Sequence, residues 1–138
     1  KQLDLASFGD NDLGFMREHL IILSALYGVV KPYDAIKPYR LDMTMRIWQE
    51  KSLYAFWQDD VSAVFDDEEL IIDLASNEFS KMVKRPMITM QFREELEDGK
   101  YKTVGIYSKK ARGSMLNYII KNRIKNTSLG ISRNCRAA

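Results

Sequence analysis

Three stretches of the chain carry side chains suited to binding an anion or moving a proton. The first is Leu23-Ser24-Ala25-Leu26-Tyr27-Gly28-Val29-Val30-Lys31-Pro32-Tyr33-Asp34, followed by Lys37-Pro38-Tyr39-Arg40-Leu41-Asp42-Met43. An apolar run breaks at Gly28 into two proline-containing turns, which is how a rigid scaffold presents polar chemistry on a loop. Lys31, Tyr33, Tyr39 and Arg40 set aromatic faces among cations, a mixture that suits stacking on bases or sugars together with phosphate binding. In the second, Leu74-Ala75-Ser76-Asn77-Glu78-Phe79-Ser80-Lys81, Ser76, Asn77 and Glu78 follow a buried run, the place where open α/β sheets put ligands. Glu78 is a candidate general base and Ser76 a candidate catalytic hydroxyl without an evident base partner. The alternative is structural, with Ser76 capping a helix and Glu78 as a first-turn charge.

The third stretch is Tyr107-Ser108-Lys109-Lys110-Ala111-Arg112-Gly113. Lys109, Lys110 and Arg112 are expected where a strand gives way to a helix, so that point charges, a bidentate fork and free helix amides converge on one anion. Asn117, Lys121 and Lys125 recur at four-residue spacing, and with Lys81, Lys84 and Arg85 they would extend the site into a positive strip for a phosphate backbone. A solvated helix face carries the same residues.

These groups need elements to hold them. Residues 11–17 are expected to form a short helix capped by Asp10 or Asn11, and residues 19–30 an apolar strand leading to Gly28, with His19 in a structural role. Pro32 and Pro38 impose an ordered loop over residues 31–43. Residues 51–60 are expected as a helix packing Leu53, Phe56 and Trp57 into the core. Asp66-Asp67-Glu68-Glu69 reads as a solvated turn, and residues 70–75 as a central strand buried on both faces and interrupted by Asp73. A helix from Ser76 or Asn77 to about Lys84 is stopped by Arg85-Pro86. Residues 87–93 alternate as a strand, which the Asp98-Gly99 turn is expected to pair with residues 101–108. From Lys110 to about Asn126 Met115, Leu116, Ile119, Ile120 and Ile124 form a buried helix face. The fold class is mixed α/β, a mixed sheet with helices packed on it.

Composition narrows the function classes. The 138 residues are 46% hydrophobic and 29% charged, in keeping with a globular domain rather than a disordered tail. With one cysteine and one histidine, the chain forms no internal disulfide and no Cys/His metal cluster, and neither a metal nor a cofactor is expected. No apolar run suggests a membrane span and no membrane partner is expected. A net charge of +2 conceals an asymmetry: residues 1–80 hold 7 Lys/Arg against 15 Asp/Glu, and residues 81–138 hold 14 against 4. An anionic partner is to be sought at the basic half, unless the two halves neutralise each other.

Taken in order, the three stretches resemble the YaaA family of bacterial cytoplasmic proteins linked to peroxide stress, over about residues 12–125. The resemblance implies a part of the larger YaaA-like fold, a cytoplasmic location, and DNA binding through a hairpin of the helix-hairpin-helix kind and a basic cleft that helps limit peroxide and iron damage. Lys31, Tyr39, Arg40, Lys81, Lys109, Lys110, Arg112 and Lys121 would contact the anion, with Ser24, Tyr27, Gly28 and Asp42 shaping the site. An enzyme acting on a nucleotide or phosphorylated small molecule through Glu78 and Lys109 or Lys110 is the alternative, and the DNA-binding, non-enzymatic reading is preferred. Residues 1–130 are read as a single domain fragment without the family's opening Ser-Pro-Ala-Lys strand, and residues 131–138 as an atypical, non-native tail. Such a fragment is expected to form a homo-oligomer or a swapped dimer through exposed edges.

Overall fold

The computed structural model describes residues 3–47, 51–67, 69–95, 99–102, 105–127, 131–132 and 135–137. A 3-10 turn, Leu5–Ser7, leads into helix α1, Asp10–His19. Its N-cap is Gly9, not Asp10 or Asn11, because the Asp12 carboxylate reaches back to accept the Gly9 N–H at 3.1 Å. The apolar run that follows is not one strand. Ile22–Ser24 (β1) folds back antiparallel on Gly28–Val30 (β2), pairing Ser24 with Gly28. Both segments flanking the turn are strands, so a helix-hairpin-helix does not present Gly28.

The loop after β2 runs to Arg46–Ile47 (β3), which pairs with Lys51–Ser52 (β4), and Ser52 caps helix α2, Leu53–Ser62, by accepting the Ala55 N–H at 3.2 Å. Leu53 is buried and Trp57 packs beside it, but Phe56 is 52% exposed. Its ring stands edge-on to Trp57 at 4.8 Å rather than in the core. The acidic run is a solvated turn as far as it is described: Asp66 and Asp67 are exposed, and Glu68 lies outside the described residues.

Leu70–Asp73 (β5) is the middle strand of a parallel sheet, between Cys135–Ala137 (β11) and Ile88–Thr89 (β6). Its alternation divides the core in two. Ile72, with Leu74 just beyond the strand, packs with Phe15 and Met16 of α1 and with Ile119 and Ile120 of the last helix. Ile71 faces Ala25, Met43, Leu53, Phe65 and Met82. The central strand is therefore buried on both faces, as its continuous apolar run requires.

Helix α3, Asn77–Ser80, is shorter than its sequence suggests. Met82 and Val83 turn into the core directly after it, and the Lys84 N–H is taken by Ser62 Oγ at 2.9 Å. β6 belongs to the central sheet, whereas the turn at Gly99 (φ 76°) joins Glu94–Glu95 (β7) to Tyr101–Lys102 (β8). Alternation identifies a strand but says nothing of its partner, so the expected pairing of residues 87–93 with residues 101–108 does not form. Asp98 lies outside the described residues. Helix α4 spans Gly105–Lys121 and so begins before the expected start at Lys110. Packing of its Ile119 and Ile120 face overrides the weak strand preference of residues 105–108. Asn126–Thr127 (β9) and Ile131–Ser132 (β10) form a last antiparallel pair before β11.

Candidate ligand site at the end of the central strand

One buried carboxylate organises the region where β5 ends. Asp73, 1% exposed, accepts the Ala75 N–H at 2.9 Å through Oδ1, and the hydroxyls of Ser80 (2.8 Å) and Thr89 (3.2 Å) through Oδ2. It ties the strand end to α3 and to β6 and shapes the turn that presents Ser76, Asn77 and Glu78. The signal in the sequence is an acid inside an otherwise apolar strand, a position occupied only when its oxygens are satisfied.

Ser76 is the N-cap of α3 and uses its carbonyl, which accepts the Phe79 and Ser80 N–H groups at 2.8 and 2.9 Å. Its hydroxyl makes no capping bond. Glu78 fastens the first sequence motif to the second: Oε1 accepts the Met43 N–H at 3.2 Å, and its carbonyl accepts the Tyr54 hydroxyl at 3.0 Å. Burial, and then the charges of Glu78 and Asp42, push the Tyr54 phenol above its ordinary value. Met43 is wholly buried and anchors the loop. Next to it, Asp42 Oδ1 accepts both the N–H and the hydroxyl of Thr44, at 2.7 and 2.6 Å, which holds its carboxyl below the usual carboxylate range.

The Gly28 hairpin docks on α2. Gly28 has φ 69°, and a Cβ there would stand 2.8 Å from the Trp57 ring, so both conformation and space demand glycine. Trp57 Nε1 donates to the Ala25 carbonyl at 2.8 Å. Ser24 Oγ accepts the Tyr27 N–H and shares a 2.6 Å hydrogen bond with the Tyr39 hydroxyl. Tyr27 accepts the Lys37 N–H at 3.1 Å and meets the Tyr39 ring edge-on at 5.8 Å. Ser24, Tyr27, Gly28 and Tyr39 thus form one braced unit. Lys31 and Arg40 are exposed on the same loop.

The third motif enters from α4. Arg112, half-buried, donates from Nη1 to the Ala75 carbonyl at 3.3 Å. A cleft of about 460 Å3 opens here between residues 75–78, Thr89, Met90, Gln91, Phe92, and Ser108 and Arg112 of α4. A second, apolar cleft of about 330 Å3 shares Ala75, Ser76 and Arg112 and is walled by Leu20, Leu23, Leu74, Phe79 and Leu116. Ser108, which no sequence pattern singles out, is 8% exposed, and its Oγ has no hydrogen-bond partner among the described residues. Nothing local distinguishes it from a serine bonded within its helix.

The cations are distributed unevenly about this centre. Lys81 follows α3, and Lys109 and Lys110 lie within α4, all exposed. The two lysines sit a full turn inside the helix rather than at its first free amides, because α4 starts at Gly105. They do not line the cleft that holds Glu78. Lys121 lies elsewhere: it binds Asp12 Oδ2 at 3.1 Å and the Ser7 carbonyl, and sits 5.2 Å from the Phe8 ring. Arg123 adds a 3.3 Å bond to Asp12 Oδ1. The Lys121 hydrogen bond and the Gly9 amide lower the Asp12 carboxyl below its ordinary value. Arg85 pairs with Asp67 at 2.5 Å. Among the described residues, no group of His, Cys, Asp or Glu side chains is placed to hold a metal ion, and no helix is long and apolar enough to cross a membrane.

Comparison with known proteins gives a consistent result. A family model described as peroxide stress protein YaaA matches residues 1–130. A UPF0246 protein of Fusobacterium nucleatum subsp. nucleatum is 47% identical over 133 residues, covering 91% of this chain and 53% of the relative. UPF0246 proteins of Teredinibacter turnerae and Crocosphaera subtropica are 43% and 40% identical, covering 92% and 93% of this chain and 54% and 56% of the relatives. The chain spans about half the length of the curated relatives it matches.

Proposed function

The chain belongs to the peroxide stress protein YaaA family, and from that membership we propose that it acts in the peroxide stress response by binding DNA. One observation carries this reading: the three motifs meet at the end of β5, joined by the Met43–Glu78 and Arg112–Ala75 hydrogen bonds. Exposed Lys81 directly follows α3, and exposed Lys109 and Lys110 lie within α4; these two helices wall the cleft. Lys31, Arg40 and the exposed ring of Tyr39 sit on the loop that Glu78 holds in place. Exposed cations on the elements that carry a half-buried arginine suit a phosphate backbone, to which each contributes sequence-independent affinity by counterion release. Lys121 contributes least, because Asp12 already neutralises it. Occupation of DNA at this surface would limit damage by peroxide and free iron.

The test is binding of labelled duplex and bubble-containing DNA across a salt series, beside a Lys109→Ala/Lys110→Ala/Arg112→Ala variant. Each phosphate contact contributes about −0.9 to the slope of log K against log salt, so the variant should flatten the slope by roughly two to three. Affinity that is salt-independent, or equal in the variant, would refute the reading.

A further inference from the structure

Ser108 and Arg112, four residues apart on α4, both line the larger cleft, and both are incompletely satisfied among the described residues. Burying a hydroxyl without a partner is costly, and Ser108 Oγ, in a residue 8% exposed, has none among the described residues. Arg112 spends one N–H on the Ala75 carbonyl, at a long 3.3 Å, out of five donors in its fork. A helix places positions four apart on one face, so the Ser108 hydroxyl and the Arg112 guanidinium form a paired donor set. The same cleft presents the carboxylate of Glu78, the amide of Asn77 and an apolar wall of half-buried Met90 and Phe92. Its volume of about 460 Å3 falls in the range of small-molecule sites.

We infer that this cleft binds a free mononucleotide, its phosphate on Arg112 and Ser108, its ribose hydroxyls donating to Glu78, and its base against Met90 and Phe92. Inorganic phosphate would engage only the donor pair and a nucleoside only the rest, so the mononucleotide alone uses all of the chemistry present. A cation-hydroxyl pair favours phosphate through charge-assisted hydrogen bonds. An acceptor carboxylate in the same cleft would repel a second anionic group but matches a diol. The site shares Arg112 with the DNA reading, whose other contacts are exposed lysines outside the cleft, so Ser108 tests the site independently of that reading.

The experiment is calorimetric titration of the protein with the common ribonucleoside and deoxyribonucleoside monophosphates, with a nucleoside, inorganic phosphate and a single-stranded oligonucleotide as separate arms. At least one ribonucleoside monophosphate should bind with a Kd below about 1 mM and more tightly than its deoxyribonucleoside counterpart, and nucleoside and phosphate should each bind about tenfold or more weakly; preference for the deoxyribonucleotide would overturn the inference. Ser108→Ala should weaken monophosphate binding by about tenfold while leaving the thermal midpoint of the ligand-free protein unchanged or higher, since an unsatisfied buried hydroxyl is removed. A purely structural serine would lower the midpoint and leave binding alone, and either result overturns the inference. Arg112→Gln, which keeps a donor for Ala75, should lose phosphate-dependent affinity and retain only nucleoside-level binding. Monophosphate binding without oligonucleotide binding supports a free-nucleotide site. Oligonucleotide binding without monophosphate binding overturns it.

Discussion

The Gly28 hairpin and the cleft at the end of β5 are both rich in polar side chains, yet they handle those side chains in opposite ways. In the hairpin, the hydroxyls of Ser24, Tyr27 and Tyr39 and the indole N–H of Trp57 are all bonded within the chain. In the cleft, Ser108 Oγ has no partner among the described residues, and the Ser76 hydroxyl makes no cap bond. A fully bonded polar unit is a brace, because its groups have nothing left for a ligand. An unsatisfied one holds binding capacity in reserve, at a cost to the ligand-free fold. Tyr39, which looks chemical in the sequence, thus spends its hydroxyl on positioning, as does Tyr27, while an inconspicuous helix serine lines the cavity.

Breaking the brace should give the largest effect. Gly28→Ala places a side chain at φ 69° and against the Trp57 ring, which should cost about 3–4 kcal/mol from backbone strain and overpacking together. Denaturant unfolding measures it, and a loss under about 1 kcal/mol would mean that α2 moves freely from the hairpin. A smaller effect tests the floor of the cleft. Asp73→Asn keeps an oxygen for the Ala75 N–H but places an NH2 where Oδ2 accepted the Ser80 and Thr89 hydroxyls, so both of those bonds must reverse, at about 2 kcal/mol. Monophosphate affinity should fall with it, since the turn carrying Ser76 and Glu78 is released. Retained stability would show that Asp73 is not the strut.

The smallest effect separates the cation already spent from those still free. Asp12 is held below its ordinary value of 3.8 chiefly by Lys121. A folded-state value below the unfolded one stabilises the fold above that ordinary value, and the contribution is lost as pH falls through the lowered value. Asp12→Asn should therefore be less stable than the parent at about pH 7, with the two thermal midpoints converging below about pH 4. Release of Lys121 in that variant should also raise non-specific DNA affinity at low salt. A constant gap between the midpoints down to about pH 2 would count against the ion pair.

Much of the fold is legible in the amino-acid sequence. Continuous apolar residues from Leu70 to Ile72 identify a doubly buried strand, and the spacing of Ile119 and Ile120 identifies a helix face, because burial imposes a period that survives in the sequence. The three motifs and the family they indicate are equally plain, and so is the ordered loop between the two prolines. Partner choice is not. The pairing of Ile88–Thr89 with β5, the capture of Lys121 by Asp12 across 109 residues, and the start of α4 at Gly105 all depend on groups distant in the chain. A side chain's type and spacing state what it is able to do. Whether Tyr39 is tied down, Lys121 neutralised or Ser108 left without a partner among the described residues is decided by which surfaces the folded core brings within hydrogen-bond reach, since those energies fall away within a few ångströms and leave no periodic trace in the sequence.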